Sequence, residues 1–202
     1  MPRSLRAWLA AALVAAGLVG VTPSPAHANY IWEYRYGFES GWDDWVSSGD
    51  TGGRGDAGVW WDVPDWAHTG DNLAIVTVDS DDTLFWSYGR SVRLPSARMS
   101  CTAKIYLKPD WSGDARVLHV NVEVLKPENW RYAAKKAVDL PDLGNGNSNV
   151  WTPVTTPAWS GGPDTVFFRV SLLGRDLGPY IGLVQLDDLT IRCTVAGTPP
   201  VG

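Results

Sequence analysis

Cysteine is nearly absent from this 202-residue chain: Cys101 and Cys193 are the only two, and no Cys-x-x-Cys occurs, so a thiol-redox site is excluded. Lysine and arginine are scarce too, 17 against 22 Asp and Glu, with no basic patch. Nucleic acid and anionic lipid are held by grouped cations that displace counterions, so neither nucleic acid nor a membrane surface is expected as a partner. No segment after residue 21 approaches the roughly 20 apolar residues of a membrane-spanning helix. Nothing repeats with the period of a long amphipathic helix, and 45% hydrophobic with 19% charged residues is the composition of a globular chain, not of collagen, coiled coil or a disordered tail. Catalytic signatures are missing as well. There is no Gly-x-Ser-x-Gly, no His-Glu-x-x-His and no nucleophilic thiol, so no catalytic residue is nominated.

What is present begins with an export signal. Arg3 and Arg6 precede an apolar run from Ala7 to Val21, followed by Pro23, Pro25 and Ala26-His27-Ala28. That order predicts a secretory signal peptide over residues 1–28, cut after Ala28, and a secreted protein. The remaining 174 residues carry 15 Lys and Arg against 22 Asp and Glu, a net charge of −7. They amount to one domain, expected over residues 29–195, with a flexible tail at 196–202 that contains Pro199-Pro200. In an exported chain Cys101 and Cys193 are expected to pair. The bridge closes a loop of roughly 90 residues, worth about 4 kcal/mol in the chain-entropy model.

From Tyr30 onward, short apolar alternations are broken every few residues by Gly, Pro, Asn or Asp, the pattern of an all-β sandwich. Tyr30, Trp32, Tyr34, Tyr36 and Phe38 take every second position of the first segment. After a glycine-rich loop at Gly49–Gly58, strands are expected near Val59–Val63, Leu73–Val78, Thr83–Leu94, Ser100–Leu107, Arg116–Leu125, Arg131–Leu140, Trp151–Pro153, Thr165–Leu173 and Leu183–Val195. About nine strands in two antiparallel sheets is the count of a jelly roll. Alternation sorts the faces, because successive side chains of a strand point to opposite sides. Leu118, Val120, Val122 and Val124 oppose His119, Asn121 and Glu123; Val166, Phe168, Val170 and Leu172 oppose Phe167, Arg169 and Ser171. Cys101 and Cys193 both fall on core stripes, consistent with a bridge inside the sandwich.

Four motifs then appear in order: Gly37-Phe38-Glu39-Ser40-Gly41 followed by Trp45, Ala67-His68-Thr69-Gly70-Asp71-Asn72-Leu73, Trp151-Thr152-Pro153, and Val184-Gln185-Leu186-Asp187-Asp188-Leu189. Together they resemble the jelly-roll carbohydrate-binding modules of bacterial xylanases and cellulases, within the galactose-binding-like superfamily. The resemblance spans almost all of the chain after residue 28. It implies a structural calcium ion held by Glu39, Asp187 and the backbone near Gly70. Calcium takes six to eight hard oxygens, which two carboxylates and loop carbonyls can supply. Capping or flanking a strand is the other use of Asp187 and Asp188.

The resemblance also implies a polysaccharide ligand, held on the concave sheet face or at loops along the edge. Flat aromatic rings suit the apolar face of a sugar, and Asn, Glu, Arg and His suit its hydroxyls. Trp86 and Tyr88 share a strand face, and with Tyr106, His119, Asn121, Glu123 and Arg169 they form the expected binding face. Trp60, Trp61, Trp66, Trp111, Trp130 and Trp159 lie in or beside polar loops and form the alternative set, while Trp32, Trp45 and Trp151 are expected to pack. The expected function is non-catalytic carbohydrate binding. Small jelly rolls also serve as polysaccharide lyases and glycoside hydrolases, and Trp and Tyr also anchor protein interfaces, so an enzyme and a domain that binds another secreted protein are the alternatives.

Overall fold

The computed structural model describes residues 29–40, 44–49, 55–79, 85–111, 119–139, 143, 150–173 and 181–199. The expected signal peptide, residues 1–28, and the last three residues of the expected tail lie outside the described residues. Among the described residues eleven strands are formed: β1 (Tyr30–Tyr36), β2 (Trp45–Gly49), β3 (Gly55–Trp60), β4 (Leu73–Asp79), β5 (Phe85–Arg93), β6 (Arg98–Trp111), β7 (His119–Lys126), β8 (Arg131–Asp139), β9 (Thr152–Thr155), β10 (Thr165–Leu173) and β11 (Ile181–Val195). One sheet runs β3-β4-β11-β6-β9 with β1 also paired to β11, and the other runs β2-β5-β10-β7-β8. Every pairing is antiparallel.

The alternating stripes meet between the sheets. Val120, Val122 and Val124 of β7 and Phe168, Val170 and Leu172 of β10 are fully buried, and so are Ala103, Ile105 and Leu107 of β6 and Leu189 and Ile191 of β11. A side chain of this kind contributes about 1.5–3 kcal/mol when taken out of water, which is why the period-2 pattern dictates the fold. An aromatic knot closes one end, with Trp45 4.9 Å from Tyr88 and 5.0 Å from Phe38 between ring centroids. Cys101 and Cys193 face each other in register on β6 and β11 and are disulfide-bonded within the core.

β2 falls outside the expected segments, and β3 starts at Gly55, four residues before the strand expected from Val59, in what reads as a glycine-rich loop. Gly55 and Gly58 weaken a strand's own preference, and pairing of β3 with β4 overrides it. β11 is the spine of its sheet. It pairs with β6 along its length, with β4 through Ile181–Leu186 and with β1 through Leu189–Val195. Its register slips between Asp187 and Thr190, a bulge in which Asp188 adopts φ 50°.

Candidate functional site

The outward face of the five-stranded sheet is built by cross-strand rows. One row runs Val46, Gly89, Arg169, Glu123, Lys135 across β2, β5, β10, β7 and β8; the next runs Ser48, Ser87, Ser171, Asn121, Ala137. Glu123 sits at the centre with its side chain only 2% exposed. A carboxylate so enclosed persists only when partnered. Its Oε2 accepts hydrogen bonds from Arg169 Nε at 2.6 Å and Ser171 Oγ at 2.8 Å, and Lys135 Nζ lies 3.7 Å from Oε1. Ser87, Ser171 and Asn121 are buried beside it and give the face a low polar floor.

Aromatic rings stand around that floor. The Arg169 guanidinium lies 5.2 Å from the centroid of Phe85, and Trp130 meets Phe167 edge to face at 5.5 Å. Trp130 is 61% exposed and holds φ 56° in the turn between β7 and β8, where its amide donates to the Lys126 carbonyl. A bulky residue in the left-handed region is strained, and such strain concentrates at functional positions. Tyr132 and Lys135 pair at 5.0 Å, and His119 is hydrogen-bonded to Asp139 at the far edge.

Of the residues expected to share one binding face, His119, Asn121, Glu123 and Arg169 are brought together here. Trp86 and Tyr88 are not. They do share a face, but it is the inward one, because Trp86 registers with Leu172 and Tyr88 with Val170. Tyr88 is buried, and burial pushes its hydroxyl pKa up to about 12. The Trp86 ring leaves no room for a Cβ at Gly49 or Gly55, and its indole N–H donates to Ser47 Oγ. Arg90, next on that stripe, lies over Tyr34 and Tyr36 of β1. Tyr106 belongs to β6, in the other sheet, and stacks on His68 with centroids 3.9 Å apart. Phe85, Lys135 and Tyr132 were overlooked, although Lys135 opposes Glu123 in the register that alternation implies.

The loop tryptophans also divide. Trp159 is buried in the core through a bridge to Cys101. Trp61 and Trp66 are exposed, and Trp66 lies 5.7 Å from Trp60. Nothing is described for the Trp111 side chain.

Glu39, Gly70 and Asp187 converge on one turn. Glu39 accepts from the backbone amides of Asp71 and Asn72, at 3.2 and 3.1 Å. Asp187 accepts from those of His68 and Thr69 at 2.9 and 3.1 Å, and from its neighbour Asp188 at 2.7 Å. Gly70, at φ 69°, gives Glu39 the space that a Cβ would fill. Asp187 is wholly buried, and desolvation pushes its pKa up to about 7 against those hydrogen bonds. Among the described residues neither carboxylate has a cationic side-chain partner, and backbone amides of the turn donate to both. No group of three or more His, Cys, Asp or Glu gathers as a metal cluster among the described residues, so carbonyls would have to complete the coordination.

No protein-family model and no curated protein matches the chain. Solved structures do. A family 61 carbohydrate-binding module, TmCBM61, in complex with β-1,4-galactotriose superposes with a TM-score of 0.53 at 16% identity, over 77% of this chain and 92% of that one. The CBM22-1 xylan-binding domain of Paenibacillus barcinonensis Xyn10C matches with a TM-score of 0.50 at 18% identity, over 85% and 99%. The chain has the jelly-roll fold of carbohydrate-binding modules. The same jelly roll occurs in a cyclase from Fischerella sp. TAU, with a TM-score of 0.55 at 13% identity over 83% of this chain and all of that one.

Proposed function

We propose that this is an exported protein that binds a polysaccharide without cleaving it, on the outward face of the five-stranded sheet. One observation carries the reading: the enclosed Glu123–Arg169–Ser171 network lies between the Trp130–Phe167 pair, whose indole is exposed, and the ring of Phe85. The buried Glu123 and Ser171 fix Arg169, and the partly exposed Arg169 and Lys135 orient sugar hydroxyls while the rings supply apolar faces beside them. The carbohydrate-binding modules of the same fold support the ligand class. A calcium ion held by Glu39, Asp187 and carbonyls of the turn at Gly70 is part of the proposal. It would neutralise two carboxylates and fix the turn between β3 and β4.

A pull-down on insoluble cellulose, xylan, galactan, chitin and peptidoglycan tests the reading, with the supernatant assayed for released sugar. Retention without release is expected. Trp130→Ala and Arg169→Ala each weaken retention by about tenfold or more, the equivalent of about 1.4 kcal/mol. Unchanged retention in both variants, with unchanged melting, removes this face as the site. Released reducing ends or unsaturated products make the protein an enzyme, and no retention on any polymer favours a protein partner.

A further inference from the structure

The outward face of the opposite sheet holds a cleft of about 720 Å³. Its charge runs against that of the chain. Three cations, Arg35, Lys104 and Arg192, line it against two carboxylates, Glu33 and Asp188, in a chain whose residues 29–202 carry −7. The cations are placed by register. One cross-strand row runs Arg35, Thr190, Lys104, Thr155 over β1, β11, β6 and β9, and the next runs Glu33, Arg192, Thr102. Four strands at about 4.8 Å spacing make the first row about 14 Å long. Lys104 has no salt bridge among the described residues, its ammonium lying 4.9 Å from the centroid of Tyr106.

The bulge of β11 builds the end of this cleft. Asp188, at φ 50°, is turned outward and binds both the His68 ring and the Thr69 hydroxyl. That pins His68 flat against Tyr106. Bulges of this kind re-aim side chains beside binding sites.

The internal contacts already display carboxylate recognition. Arg35 reaches Oε2 of Glu33 with Nη2 at 2.7 Å and Nε at 3.1 Å, and Arg192 Nε lies 3.6 Å from Oε1. The Arg35 hydrogen bond, joined by the charges of Arg35, Arg192 and Lys104, holds the Glu33 carboxyl below its usual range. Planar guanidinium groups suit carboxylates in this geometry. Threonine hydroxyls, which donate and accept, stand beside the cations: Thr190 between Arg35 and Lys104 in the first row, with Thr155 beyond Lys104, and Thr102 next to Arg192 in the second. We infer that this cleft is a second saccharide site, selective for sugars that carry carboxylates, in which Lys104 and Arg192 hold the acid group and Thr102, Thr155 and Thr190 meet ring hydroxyls. The inference does not rest on the ligand of the five-stranded face.

Calorimetric titration of the protein with an oligogalacturonate, its fully methyl-esterified form and an oligoglutamate of equal charge tests the inference. The free acid is expected to bind at least about tenfold more tightly than the ester and than the peptide, with affinity falling as salt rises. Lys104→Gln combined with Arg192→Gln abolishes that preference while melting and retention on neutral polysaccharide stay as in the parent. Equal binding of ester and acid overturns the inference, as does oligoglutamate binding as tightly as the sugar. No binding of the free acid, or a double variant that melts normally and keeps the preference, overturns it too.

Discussion

Burial without a counter-charge makes Asp187 titrate near neutrality. A carboxyl whose pKa is raised from 3.8 to about 7 keeps its proton in the folded state after the unfolded chain has released it. In chelator, stability therefore falls as pH rises through that window and levels off above about pH 7. The expected loss of melting temperature between about pH 4.5 and 8 is on the order of 5–10 °C for a domain of this size. The proposed calcium would bind the ionised form, so adding it at pH 8 is expected to restore the melting temperature. Asp187→Asn abolishes both the slope and the calcium response. A melt at pH 8 that ignores chelator and calcium alike removes the metal from the proposal.

Trp86 shows at the same scale where the sequence misleads. Its alternation with Tyr88 and Arg90 is read correctly as one face, but polar tips on aromatic rings hide which face it is. The register with Leu172 and Val170 decides, and that register is set by β10, some eighty residues away. Glu123 and Arg169 were legible because the opposite stripe of each strand is unbroken valine, leucine and phenylalanine.

At the scale of elements, the disulfide joins β6 to β11, the longest pair of strands in the larger sheet. It closes a loop with a sequence separation of 92, so Cys101→Ala with Cys193→Ala is expected to cost about 3–5 kcal/mol in the chain-entropy model. Urea unfolding of the double variant measures this, and a loss below about 1 kcal/mol shows that the denatured chain was not held open by its absence. The long strands, β6, β10 and β11, were visible from periodicity alone. β2 and the first part of β3 were not, since Ser47, Ser48, Gly49, Gly55 and Gly58 carry little β preference of their own. Both are edge strands that form because a neighbouring strand offers hydrogen bonds. Motif order marked the turn at Gly70 and the Asp187-Asp188 pair, but only the bulge explains why one of the two carboxylates enters the core and the other leaves it.

At the scale of the molecule, the two outward faces lie on opposite sides of a shared core and have no lining residue in common. Saturating one is expected to leave the other's affinity unchanged within about twofold, a coupling below about 0.5 kcal/mol. Titrating oligogalacturonate into protein already loaded with the neutral polysaccharide found by pull-down checks this. A larger change means that the sheets move together through the core.

Tyr30 and Val195 are partners in the ladder between β1 and β11. The sandwich thus begins and ends at one corner, like both wires of a lamp entering the same socket. A circular permutant that joins residue 195 to residue 30 through a turn-length linker keeps every strand pairing, and new ends fit in any surface loop away from the two faces. Inserted whole into a loop of another protein, the domain hangs as a pendant and separates its host's flanking residues by little more than one strand spacing.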